Sequence, residues 1–187
     1  MLSLDDNDRN TVDMIVMFKD TPFSTLILTK CNLQDRRVQN AAFKNAVNFI
    51  IRDSFIKFWV QYEVGCENLQ ITKSTIVYGK GNVPGLSKCK SFTIRASFVK
   101  NPEFVYRPLS DAIRELRVTE NDFYGVMKFN MVYFVCVFPD KFKNLRVLDF
   151  HGDVEEPTLI QLLVNIKLYP DLKEITLCNK SSFFDVK

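Results

Sequence analysis

Two copies of one short pattern bracket a helical run near the end of the chain. In LRVLDFHGDVEEPTLIQLLVNIKLYPDLKEITLCN, residues 145–179, Leu145, Leu148 and Phe150 are spaced L-x-x-L-x-F, and Leu172, Ile175 and Leu177 repeat that spacing 27 residues on. A period of this size, with one strand signal and one helix signal in it, constrains the chain to a stack of like units. A single unit cannot bury its own apolar face, so neighbours must cover one another. Stacks of this kind present long continuous surfaces suited to binding.

Weaker copies run back through the chain. They start at Phe23, Cys66, Cys89, Ile113, Leu145 and Leu172, at intervals of 43, 23, 24, 32 and 27 residues. Three of the six open on Cys or Phe in place of Leu, and the intervals are unequal. The stack is therefore expected to be degenerate or to carry insertions, and a compact α/β domain whose strands share this spacing is the competing reading. Ile113, Leu116, Val118 and Asn121 place an asparagine where the chain leaves a strand. Its side-chain amide offers both a donor and an acceptor to the backbone of adjacent units, which predicts a ladder there. The expected fold is α/β, one domain over residues 13–187, after a flexible polar N-terminus at 1–12 that carries Asp5, Asp6, Asp8 and Arg9.

Three stretches change to the helical period. From Asp35 to about Trp59, Val38, Ala42, Phe43, Ala46, Val47, Ile50, Ile51 and Phe55 recur at three- and four-residue steps and predict the longest helix. Its basic pair, Arg36 and Arg37, lies at the end where the helix dipole prefers acids and reads as solvated charge. Phe123, Val126, Met127, Met131, Phe134, Val135 and Phe138 predict a helix over 122–138, closed by Pro139. In the final unit Asp153, Glu155 and Glu156 complement a helix start and Pro157 suits its first turn. Leu159, Leu162, Leu163 and Ile166 form its buried stripe, and Pro170 ends it. VDMIVMF at 12–18 fits a strand or a short helix, while Pro102 and Pro108 hold 98–112 to short helical turns.

Composition and motifs narrow the function. Hydrophobic residues at 47% and charged residues at 25% suit a soluble folded protein, and a net charge of +3 is too small to select nucleic acid or a membrane surface by bulk electrostatics. The five cysteines are widely spaced, with no C-x-x-C pair, and the opening MLSLDDNDRN is polar and acidic, unlike a secretory leader. A reducing compartment, cytoplasmic or nuclear, is expected, with the cysteines acting as small buried apolar residues. The apolar run MVYFVCVF at 131–138 falls far short of the roughly 18 to 20 residues that span a bilayer. GKGNVPG at 79–85 lacks the Gly-Lys-Ser/Thr helix start of a phosphate loop and the spacing of a dinucleotide fingerprint, so it reads as a loop between units. The one histidine, His151, excludes paired-histidine metal chemistry within the chain, and no cysteine near it sits in a nucleophile motif. Asp149, Asp153, Glu155 and Glu156 read as charges around a helix start, so no catalytic residue, metal or cofactor is expected. Lys141, Lys143 and Arg146 beside Phe142 are the one basic and aromatic group that could pair phosphate contacts with stacking, and Asp140 and Asp149 offset them.

The order of strand, acidic helix start, leucine-rich helix and second strand in 145–179 resembles ribonuclease-inhibitor-type leucine-rich repeats. More narrowly, it resembles the divergent C-terminal repeats of nematode F-box-associated proteins. The resemblance implies a short leucine-rich-repeat-like solenoid, non-enzymatic, that binds another protein through its strand-lined face. In F-box proteins such repeats hold a target while the F-box engages a ubiquitin-ligase adaptor. Residues 1–60 lack the Pro-Leu-rich three-helix segment of an F-box, so substrate recognition in a ubiquitin ligase is the second reading. A nucleic-acid-binding or enzymatic α/β domain is the third. On the leading reading the x positions of the strands line the face: Gln70, Thr93, Arg117, Asp149 and Thr176, with Arg95, Thr119, His151 and Cys178 next along.

Overall fold

The computed structural model describes residues 1–5, 21–33, 46–58, 66–78, 86–100, 109, 111–124 and 130–179. The run at 12–18, the segment 35–45 with Arg36 and Arg37, the 79–85 loop and the segment 101–108 with Pro102 and Pro108 lie outside the described residues. Within them the chain forms strands β1 (Leu2–Asp5), β2 (Phe23–Thr29), β3 (Asn32–Leu33), β4 (Ala46–Arg52), β5 (Phe55–Phe58), β6 (Asn68–Thr72), β7 (Thr75–Tyr78), β8 (Ser91–Arg95), β9 (Phe98–Lys100), β10 (Glu115–Thr119) and β11 (Asp122–Tyr124). There follow helices α1 (Met131–Val137) and α2 (Pro139–Phe142), β12 (Val147–His151), α3 (Glu156–Val164), a 3₁₀ turn (Ile166–Leu168) and β13 (Glu174–Cys178).

The class is α/β, with parallel sheets. Eight strands form one sheet in the order β1-β2-β4-β6-β8-β10-β12-β13, and five form another in the order β11-β9-β7-β5-β3. From β2 to β11 the chain lays a strand in the larger sheet, turns a corner, and lays the next in the smaller sheet. Alternation along each strand then decides what is buried. Leu26, Phe49, Leu69, Phe92, Leu116, Leu148 and Ile175 fall in one register row of the larger sheet, and Leu28, Ile51, Ile71, Ile94, Val118, Phe150 and Leu177 in another. Both rows face the core, and Ile56, Ile76 and Val99 of the smaller sheet are fully buried in the same core. Each such side chain contributes about 1.5–3 kcal/mol when taken out of water.

The corners share one construction. Lys30, Asp53, Lys73, Ala96 and Glu120, each just past a strand of the larger sheet, have φ between 47° and 58°. The next residues are Cys31, Ser54, Ser74, Ser97 and Asn121, and they are joined from unit to unit. The Cys31 N–H donates to Ser54 Oγ at 3.0 Å, Ser54 N–H to Ser74 Oγ at 3.1 Å, Ser74 N–H to Ser97 Oγ at 3.1 Å, and Ser97 N–H to Asn121 Oδ1 at 2.9 Å. Each serine hydroxyl also donates to the carbonyl two residues back, on Arg52, Thr72 and Arg95. Asn121 Nδ2 donates to the Ile94 carbonyl at 2.9 Å. The ladder expected at Asn121 is present, with serine supplying the earlier rungs.

Three sequence expectations are corrected. The helix over 35–59 is replaced, in its described part, by β4 and β5: Phe49 and Ile51 alternate inward while Val47 and Arg52 face out. The helical steps there are a coincidence of a strand with apolar residues on both faces, and its paired isoleucines favour the pleated surface. This unit also explains the 43-residue interval, which splits at Ala46 into 23 and 20. The helix over 122–138 shortens to α1, because Asp122–Tyr124 is β11, and Pro139 opens α2. The stretch 98–100, read as a helical turn, is β9, and β7 at 75–78 runs up to the 79–85 segment.

The helical half has its own fastenings. Asn130 Oδ1 caps α1 by accepting from the Tyr133 N–H at 3.1 Å. The Val135 carbonyl would look to residue 139 for its helical partner, and Pro139 has no N–H to give. Tyr169, 2% exposed, donates its hydroxyl to that carbonyl at 2.7 Å instead. In α3 only Thr158 and Leu162 are buried; Leu159, Leu163 and Ile166, expected in the buried stripe, are 38%, 58% and 41% exposed. α3 packs on α1 along one flank, and on the other Leu159, Ile160, Leu163 and Val164 stay exposed.

Candidate partner-binding face

The strands of the larger sheet carry three rows that point away from the core. Gln70, Thr93, Arg117, Asp149 and Thr176 share one register row, joined by Ile27 and Ile50 on β2 and β4. Arg95 and Thr119 pair in the next row, which His151 and Cys178 continue. The nine x positions named from spacing are thereby brought onto two adjacent rows of one face. They differ in access. Gln70, Arg95 and Thr176 are exposed and Thr93, Arg117, Asp149, His151 and Cys178 half-buried, but Thr119 is 6% exposed. Thr119 is corrected as a surface residue: the Arg95 side chain reaches past it to Glu120.

Charge concentrates at the β10 to β13 end. Arg117 Nη1 lies 3.5 Å from Asp149 Oδ2 and 3.6 Å from Glu174 Oε1, so one guanidinium spans three strands. His151 Nε2 lies 3.4 Å from Asp149 Oδ1. That oxygen is sealed from water and accepts no hydrogen bond. Arg95 binds Glu120 through two nitrogens, at 3.1 and 3.0 Å. These bonds hold the Glu120 carboxyl below the usual carboxylate range and raise the Arg95 guanidinium. Both are solvent-exposed, so the pair is screened and adds little stability.

Spacing missed the outermost row. Asn68 Nδ2 donates to Asn48 Oδ1 at 2.6 Å, and Asn48 Nδ2 to the Ser24 carbonyl at 2.9 Å. Glu174 belongs to the same row. The residue just before the middle apolar position of each pattern marks it, a position with no set residue type and thus no signal in one sequence. The group at 140–146 is corrected: Phe142 is fully buried and cannot stack on a base, and burial lowers the Lys141 ammonium. Cys31, Cys66, Cys89 and Cys136 are buried free thiols, and Cys178 is half-buried. A thiol hydrogen bond between Cys66 and Cys89 raises the first and lowers the second. Among the described residues no cluster of His, Cys, Asp or Glu is placed to hold a metal ion, and no helix is long and apolar enough to cross a membrane.

No family model, curated protein or solved structure matches the chain.

Proposed function

We propose that the chain is a leucine-rich-repeat-like solenoid that binds another protein on the outward rows of its larger sheet, without catalysis. The observation that carries this reading is the charge cluster on that face, where Arg117 lies between Asp149 and Glu174 and His151 lies beside Asp149, so that side chains of three neighbouring strands meet. A partner of complementary charge would meet this cluster at Arg117 and Glu174, whose side chains keep 33% and 53% of their surface. The ladder of corner side chains supports the solenoid half of the reading, since it repeats once per unit as stacked coils require.

The test is affinity capture from the native source, with the wild-type chain beside an Arg117→Ala/Asp149→Ala variant. One stoichiometric protein retained by the first and lost by the folded second supports the face. Unchanged capture by the variant places binding elsewhere. Recovery of adaptor and cullin subunits would favour the second reading, substrate recognition in a ubiquitin ligase.

A further inference from the structure

The last unit leaves two kinds of surface open together. Among the described residues β13 ends the larger sheet and pairs only with β12, which leaves its far edge without a strand partner there. Ile175 belongs to the inward row yet is 38% exposed, whereas its row mates Leu148 and Leu116 are fully buried. On α3, Thr158 touches α1 through Asn130 and Cys136. Stepping about 100° per residue puts Leu159, Ile160, Leu163 and Val164 on an arc turned away from that contact. Their exposures run from 38% to 68%. With Ile166, Leu168 and Ile175 they expose on the order of 600 Å² of apolar surface, at the upper end of what a monomer leaves in one patch and near the ~800 Å² that each partner gives a standard interface.

We infer that this end is the interface of a homodimer, in which β13 pairs antiparallel with β13 of a second copy and the two α3 helices pack beneath the joined sheet. Self-pairing is favoured by the strand itself. A two-fold axis perpendicular to the sheet at Thr176 sets Thr176 against Thr176, Ile175 against Leu177 and Glu174 against Cys178. Inward residues then stay inward, and no like charges face each other across the junction. The same axis brings the apolar flank of α3 against its own copy, so one operation covers both the strand edge and the helix.

The full chain is examined by sedimentation velocity across micromolar concentrations, where twice the 21.8 kDa chain mass is expected. Leu163→Asp/Val164→Asp alters only exposed positions and should weaken dimerisation by about tenfold or more, with the circular dichroism spectrum of the wild type. Thr176→Cys in a Cys178→Ser background should give a covalent dimer with a short bis-maleimide linker. A single-chain mass at every concentration overturns the inference. So does a dimer that persists in the double aspartate variant, or one that the linker fails to join through position 176.

Discussion

From Phe23 to Tyr124 each unit turns its corner on hydrogen bonds, while from Met131 onward the return legs are helices. In the first region a left-handed residue and a serine or asparagine join each corner to the next, and the return leg is a short strand of the smaller sheet. In the second region α1 follows β11 in the unit of β10, and α3 alone fills the leg after β12. The corner after β12 then has Gly152, whose added Cβ would lie 2.3 Å from Phe150 Cζ. The larger sheet crosses the boundary without a break in register. A constant outward face can thus be carried on two return-leg chemistries, one local and polar, the other apolar and dependent on what packs alongside.

The largest test of this contrast falls at the boundary. Asn121 is fully buried and serves the Ser97 N–H and the Ile94 carbonyl, so Asn121→Ala should destabilise by about 2–5 kcal/mol in urea unfolding. Hydrogen exchange should rise in β8 to β11 before it rises in α3. A loss under about 1 kcal/mol would mean that the ladder is ornament to the apolar core. On the helical side, Tyr169→Phe strips the Val135 carbonyl of its donor and should cost about 1–3 kcal/mol. Burial pushes the Tyr169 hydroxyl up to about 12, above its ordinary value near 10. The neutral form is therefore the one the fold favours. Its contribution is complete below pH ~10 and is lost as pH rises through about 12, a fall that the phenylalanine variant should lack. The smallest effect has the opposite sign. Ala96 holds φ of 50°, so Ala96→Gly should stabilise by about 0.5–1 kcal/mol after the entropy of the unfolded glycine is counted.

The strands were legible where leucine spacing is strong and opaque where the strand is apolar on both faces. Leu148 and Phe150, or Leu69 and Ile71, alternate with polar neighbours and announce a strand. Phe49 and Ile51 are separated by Ile50 and preceded by Ala46 and Val47, and that run matches a helix equally well. The corner triplets Thr-Lys-Cys, Arg-Asp-Ser, Thr-Lys-Ser, Arg-Ala-Ser and Thr-Glu-Asn would have separated the two, because each ends three residues past an inward side chain. The first, followed by Asn32, and the last, with Asn121, carry a turn signal by residue type, and the three serine corners do not. Which x residues share the outward face followed from alternation alone. The burial of Thr119 and the clustering of Arg117, Asp149, Glu174 and His151 depend on neighbours in other units, which one strand does not encode. The exposure of Leu159 and Leu163 was hidden for the same reason: an apolar stripe specifies a need for cover and leaves its source open.

The ladder has a direction. Every corner amide from Cys31 to Ser97 finds its acceptor on the unit that follows in sequence, never on the one before. A chain emerging from a ribosome therefore carries one unmet amide at its growing end, and each new corner, 20 to 24 residues later, closes the rung behind it while opening its own. Asn121 ends the series by turning its second bond back to Ile94. In this half of the molecule the order in which the rungs can close is therefore the order of synthesis, and the rung at Asn121 is the last that can form.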